Sequence, residues 1–181
     1  MNQLGTIELV YKQLLLRKFR PEDAKELYNG YVNQKEFLFY ANKKPVTLEE
    51  ENLMLRDLCK NYNETNYYNW VITLKETGEI IGSINLKPNL KNDSVLVSYA
   101  IDNRHTGKGY ATSAVKAVKD YAFEVLKSHR FEGGCATENI ASKRVLEKSG
   151  LLKEGILKDY AKLSDGYHDM FWFAEINNKL S

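Results

Sequence analysis

Cysteine is scarce: the chain has two, Cys59 and Cys135, with no CxxC spacing and no histidine cluster beside either. That argues against a disulfide framework and against a thiolate zinc site, so no metal is expected and a reducing cytoplasm fits. Long apolar runs are also missing. The first twenty residues set Glu8, Lys12, Gln13, Arg17 and Lys18 among the aliphatics, which leaves no signal-peptide core. No later stretch approaches the ~18 apolar residues a membrane helix requires, so no membrane partner is expected. Nor is there an excess of one charge. Lys and Arg number 26 against 24 Asp and Glu, a net charge of +2, which is not the basic field of a dedicated nucleic-acid binder. Any anion must therefore be bound locally. Prolines are few, and repeats, low-complexity tracts and linkers are absent, so a single domain over residues 1–181 is expected.

What is present suffices for a core: 181 residues, 43% of them hydrophobic, with seven Phe, twelve Tyr and two Trp. Residues 7–19 are dense in Leu, Val, Ile and Tyr and read as one strand that stops at Arg20-Pro21. Pro21, Glu22 and Asp23 suit a helix start running to about Tyr31. Thr47 with Glu50 is a capping-box pattern opening a second helix toward Asn61. Residues 70–74 and 80–84 flank a Gly-containing turn and predict an antiparallel hairpin. Residues 95–101 form the fourth and most apolar strand. From Tyr110 to Leu126 the apolar positions keep one helical face. A short strand over 131–137, a helix over 140–149 closed by Gly150, and strands over 153–162 and 169–176 complete the chain.

Between the fourth strand and the long helix stands Asp102-Asn-Arg-His-Thr-Gly107-Lys108-Gly109-Tyr110-Ala111. Glycines let a backbone approach a ligand closely, and the first helical turn offers unpaired N–H groups at the positive dipole end. The segment is either a diphosphate seat or only a tight strand-to-helix turn. A dinucleotide fingerprint needs a third Gly or Ala where Thr112 stands, and a P-loop needs four residues between its glycines; neither spacing is met.

Here the sequence becomes specific. The run Gly107-Lys-Gly-Tyr-Ala-Thr112, placed after the fourth strand, is similar to the pyrophosphate loop of the GNAT N-acyltransferases. Downstream, Glu138-Asn139-Ile-Ala-Ser142 through Gly150-Leu151 resembles their N-x-x-S/A…GF segment. Leu14-Leu-Leu-Arg17 with Phe19-Arg-Pro-Glu-Asp23 adds the pattern of the ribosomal-protein-alanine acetyltransferase branch (RimJ/RimL-like). The resemblance implies an α+β fold, an α/β sandwich with a mixed, mostly antiparallel seven-stranded sheet and about four helices. It also implies an acetyl-CoA-dependent N-acetyltransferase acting on a primary amine, a peptide N-terminus or a small molecule, by direct attack in a ternary complex. The alternative is a non-catalytic CoA-binding sensor on the same fold. A monomer or homodimer would be compatible with either.

By the same resemblance, the amides from Gly107 through Lys108, Gly109 and Tyr110 to Ala111 hold the CoA diphosphate, and Tyr99, Ala100 and Ile101 pair with the pantetheine like a neighbouring strand. An amide near Ala100 or Ile101 then polarises the thioester carbonyl. Thr106 stands where the family commonly has Gln or Arg. Arg104 either reaches a phosphate or is plain surface, and the same choice applies to Lys143 and Arg144. Asn139 caps its helix and contacts CoA. Many relatives place a Tyr acid where this chain has Leu146, which leaves Ser142 as the side-chain acid for the departing thiolate. The fourth strand lacks the carboxylate that often serves as base; Glu132, Asp169, His105 and His168 are the substitutes, unless water or an acceptor of low pKa removes the need.

Overall fold

A computed structural model describes residues 1–180. Its spine is a single sheet of eight strands. The strands are β1 (Leu9–Tyr11), β2 (Leu14–Arg17), β3 (Tyr68–Leu74), β4 (Ile80–Asn89), β5 (Ser94–Ile101), β6 (Arg130–Ala136), β7 (Leu152–Leu163) and β8 (Gly166–Ile176). Five helices accompany them: α1 (Ala24–Asn29), α2 (Lys35–Tyr40), α3 (Leu48–Lys60), α4 (Tyr110–Asp120) and α5 (Ile140–Lys148). The spatial order is β1-β2-β3-β4-β5-β6-β8-β7, antiparallel throughout except for β5 against β6.

Two differences from the sequence reading have local causes. The stretch expected as one opening strand is a hairpin, because Lys12 adopts φ +53 and turns the chain between β1 and β2. That added strand raises the expected seven to eight. The region between the first two expected helices also folds, as α2, whose six residues make fewer than two turns and are too few to show a period. The capping box is formed as read: Thr47 Oγ1 accepts from the Glu50 N–H at 3.2 Å, and Glu50 Oε2 accepts from the Thr47 N–H at 2.7 Å.

Strand alternation sends side chains to opposite faces, and each face builds its own core. One core joins Leu14, Leu16, Trp70, Ile72, Ile84, Val95, Val97 and Phe131 to Val115 and Val118 of α4 and Leu146 of α5. The other joins Val71 and Ile80 to Ala24 and Leu27 of α1, Tyr31, Val32 and Leu55 of α3, with Phe37 of α2 and Ala100 of β5 at its border. β5 thus runs between two helical layers. α4 continues without a break into a wider π-type turn over Tyr121–Val125, fixed by Tyr121 Oη donating to the Gly5 carbonyl at 2.7 Å.

Candidate active site

The site begins where two strands part. β5 and β6 pair at Ser94/Arg130, Val95/Phe131 and Leu96/Glu132, and then the ladder ends although both strands continue. From Val97 onward the β6-facing edge of β5 carries main-chain groups with no strand partner. The phase of that edge is fixed by the Asp102 N–H, which donates to the Ile81 carbonyl of β4 at 2.8 Å. Groups alternate along a strand, so Tyr99 and Ile101 direct N–H and C=O into the gap while Ala100 directs its own toward β4. An extended amide-bearing chain would complete the ladder there.

At the top of the gap lies the Gly-rich turn. Gly107 and Gly109 hold φ +76 and +80, the left-handed region where a side chain is strained, and a Cβ built on either meets nothing within 4 Å. The space before α4 is therefore open, and Gly109 caps that helix without any side-chain bond to its first turn. Thr106 braces the turn from within, its hydroxyl donating to the Asn103 carbonyl at 3.0 Å. Lys108 is exposed beside it.

Arg104 is tied down elsewhere. Its Nε lies 3.0 Å from each Asp102 oxygen and its Nη2 2.5 Å from Oδ2, on the side of a shallow depression lined by Glu22, Glu26 and Glu79. Asp102, fully buried, also accepts from the Arg104 N–H and from Gln34 Nε2. These donors, led by the Arg104 guanidinium, push the Asp102 carboxyl down to about 2. Gln34 in turn accepts from the Asn103 N–H, and Asn103 Nδ2 reaches Glu36 of α2. This network links the helical layer of α1 and α2 to the Gly-rich turn. The sequence reading missed it, since a strand-end Asp carries no periodic or motif signal.

On the other wall, Asn139 Oδ1 accepts from the Ser142 N–H at 3.0 Å and caps α5. Ser142 meets an unanticipated partner: the Tyr99 hydroxyl lies 2.8 Å from Ser142 Oγ and 3.2 Å from its carbonyl oxygen. Burial raises the Tyr99 phenol well above its ordinary value, so it is a neutral O–H that can give or take a hydrogen bond. Cys135 is buried against the same group; burial pushes its thiol up to about 11, partly offset by a hydrogen bond from Ser142. Leu146 is fully buried and packs on Gly133, so the position where the resemblance implies a Tyr acid belongs here to the core. Arg144 is exposed on α5, and Lys143 sits 3.7 Å from Glu147 and over the Phe171 ring.

The candidate bases are all engaged. Glu132 accepts from Arg130 and Trp172, at the closed end of the β5–β6 gap. Asp169 holds Lys158, and His105 lies 3.4 Å from Glu79. His168 is clasped on both ring nitrogens, with Glu138 at 2.5 Å and Asp165 at 2.7 Å, which raises its pKa and favours the imidazolium. An imidazolium has no lone pair with which to accept a proton. No cluster of His, Cys, Asp or Glu suited to a metal occurs among the described residues.

Comparison with known proteins identifies the family. The acetyltransferase (GNAT) domain matches residues 13–152. The probable N-acetyltransferase YjcK of Bacillus subtilis is 32% identical over 133 residues, 72% of this chain and 74% of its own. The N-acetyltransferase p20 of Bacillus licheniformis is 31% identical over 174 residues, 93% of this chain and 96% of that one. The ribosomal-protein-serine acetyltransferase of Escherichia coli is 26% identical over 172 residues, 92% and 94% of the two chains. Among solved folds, a GNAT-family acetyltransferase from Bacillus anthracis superposes with a TM-score of 0.84 at 24% identity, covering 94% of this chain and 99% of its own. RimL, an α-N-protein acetyltransferase of ribosomal L7/L12 holding coenzyme A in a disulfide with one of its cysteines, superposes at 0.80 with 20% identity, covering 94% and 98%. With the domain match spanning most of its length, this chain belongs to the GNAT acetyltransferases, the enzymes that move an acetyl group from acetyl-CoA to an amine.

Proposed function

We propose that acetyl-CoA lies along the free edge of β5, with its diphosphate on the amides of Gly107 to Ala111 and its pantetheine paired to Tyr99 and Ile101. The observation that carries this is the break in the β5–β6 ladder after Leu96, directly below an open turn of left-handed glycines. The Ile101 N–H then faces the thioester carbonyl, where a fixed dipole stabilises the charge that develops on oxygen. The Arg104 guanidinium plays no part in this seat, being spent on Asp102.

In the ternary complex the neutral amine nitrogen attacks the carbonyl carbon. The C–N bond forms, the C–S bond breaks, and the thiolate takes a proton from Ser142 Oγ, which Tyr99 replenishes across their 2.8 Å contact. The adduct nitrogen gives one of its two protons to water and keeps the other in the amide, and water returns a proton to the Tyr99 oxygen. The acceptor is an α-amine of a peptide or a small primary amine, the former in keeping with the substrate of the ribosomal-protein-serine relative. An α-amine, with a pKa near 8, is partly neutral at pH 7 and lessens the need for a strong base. The two free cysteines accord with a reducing, cytoplasmic setting.

Release of free thiol from acetyl-CoA tests the reading directly, across peptides with amino-terminal serine or alanine, polyamines and aminoglycosides. Turnover with at least one amine is expected. Tight CoA binding with no turnover on any of them contradicts it and points to a non-catalytic CoA binder.

A further inference from the structure

Three acidic side chains of the described residues are buried, and two of them hold an arginine. Asp23 takes both Arg17 nitrogens at 2.7 and 2.9 Å, and Asp102 takes Arg104. The third is Glu51, only 8% exposed, and no hydrogen bond or ion pair reaches its carboxylate among the described residues. A carboxylate held at the edge of an apolar core without a cation beside it is a place where a cationic group gains a partner. Nor are its oxygens sealed in. The unpartnered side-chain atoms that solvent cannot reach are Tyr68 Oη and His105 Nδ1, so the Glu51 oxygens border open space.

Its surroundings say which space. α3 turns Glu51 and Leu55 inward, and Leu55 packs in the core that holds Tyr31 and is bordered by Phe37 and Ala100. The Glu51 charge acts on the buried Tyr31 phenol, whose hydroxyl lies 2.6 Å from Ser83 Oγ. Ser83 is paired directly across from Ala100 in β5. The core that α3 enters through Leu55 therefore reaches, through Tyr31 and Ser83, the strand on which the thioester is seated, on the face away from α4 and α5. The cation that acts on Glu51 is Lys43, whose ammonium lies 5.4 Å above the Phe37 ring without an ion-pair contact to the carboxylate. Burial raises the Glu51 carboxyl above its ordinary value, more than Lys43 lowers it, and a cation seated against it would favour the carboxylate again.

We propose that Glu51 is a specificity-determining residue that seats an ammonium group of the acceptor, so that this enzyme selects cationic amines. This rests on the acetyl-transfer reading above and extends it to the acceptor side. The test uses the CoA complex of the full chain, with spermidine and a hexapeptide bearing a free amino-terminal serine as probes, and binding read by calorimetry. At least one probe binds the wild-type complex, and Glu51→Gln weakens it at least tenfold with CoA affinity unchanged. Glu51→Asp recovers part of the loss. Because no native partner is removed, Glu51→Gln melts no lower than wild type. Failure of both probes to bind the wild-type complex, equal binding by the Gln variant, or a Gln variant that melts several degrees lower each overturns the proposal. Probes that bind through Glu51 while no amine releases thiol would instead contradict the acetyl-transfer reading alone.

Discussion

At the scale of single residues, neighbours that look alike in the sequence do different work. Ser142 and Tyr99 touch each other, and Cys135 borders them, so Ser142→Ala should lower kcat by about a hundredfold, the usual worth of a positioned acid. The acetyl-CoA Kd should move by less than about threefold, since the ground-state contacts are main-chain. Gly109→Asp makes the opposite split: the open space accommodates the side chain, φ +80 costs about 1 kcal/mol, and a carboxylate in the diphosphate seat abolishes tight acetyl-CoA binding. Thiol-release kinetics on Ser142→Ala, with calorimetry and thermal melts on both variants, read these effects. Asp102 belongs to stability rather than chemistry. Its carboxyl falls from 3.8 to about 2, so its contribution of about 2 kcal/mol is fully present above pH 3.8 and is lost as pH drops through 2. Asp102→Asn should remove that part of the acid denaturation curve.

At the scale of elements, what could be read from the sequence was what is set locally. The α3 start follows from Thr47 and Glu50 alone, and Thr47→Ala should cost about 1 kcal/mol in a urea titration. The α4 face followed from spacing, and the Gly107 to Ala111 turn from its wording. The failures share a different cause. Lys12 gives no warning of a left-handed turn, so β1 and β2 read as one strand; α2 is shorter than two turns. The parting of β5 from β6 depends on pairings between segments more than 30 residues apart, as does the meeting of Tyr99 with Ser142. Motif resemblance supplied the gap's existence, but only the ladder showed that Tyr99 and Ile101, not Ala100, face it. Arg104, read as either a phosphate ligand or plain surface, pairs with a buried carboxylate that spacing could not reveal.

At the scale of the whole molecule, β5 runs between the layer of α4 and α5, the donor side of the proposed complex, and the layer of α1, α2 and α3, its acceptor side. The Asp102 network ties the two together through Gln34 and Asn103. A ligand bound along β5 touches both layers and should stabilise the fold as one unit, by about 2.7 kcal/mol at a hundredfold excess over Kd. The most direct test is amide hydrogen exchange with and without acetyl-CoA. Protection is expected at Tyr99 and Ile101 and through Gly107 to Ala111, with the β4-facing amide of Ala100 unchanged. Protection confined to other segments, or none at saturating acetyl-CoA, would contradict the placement of the cofactor on which the mechanism depends.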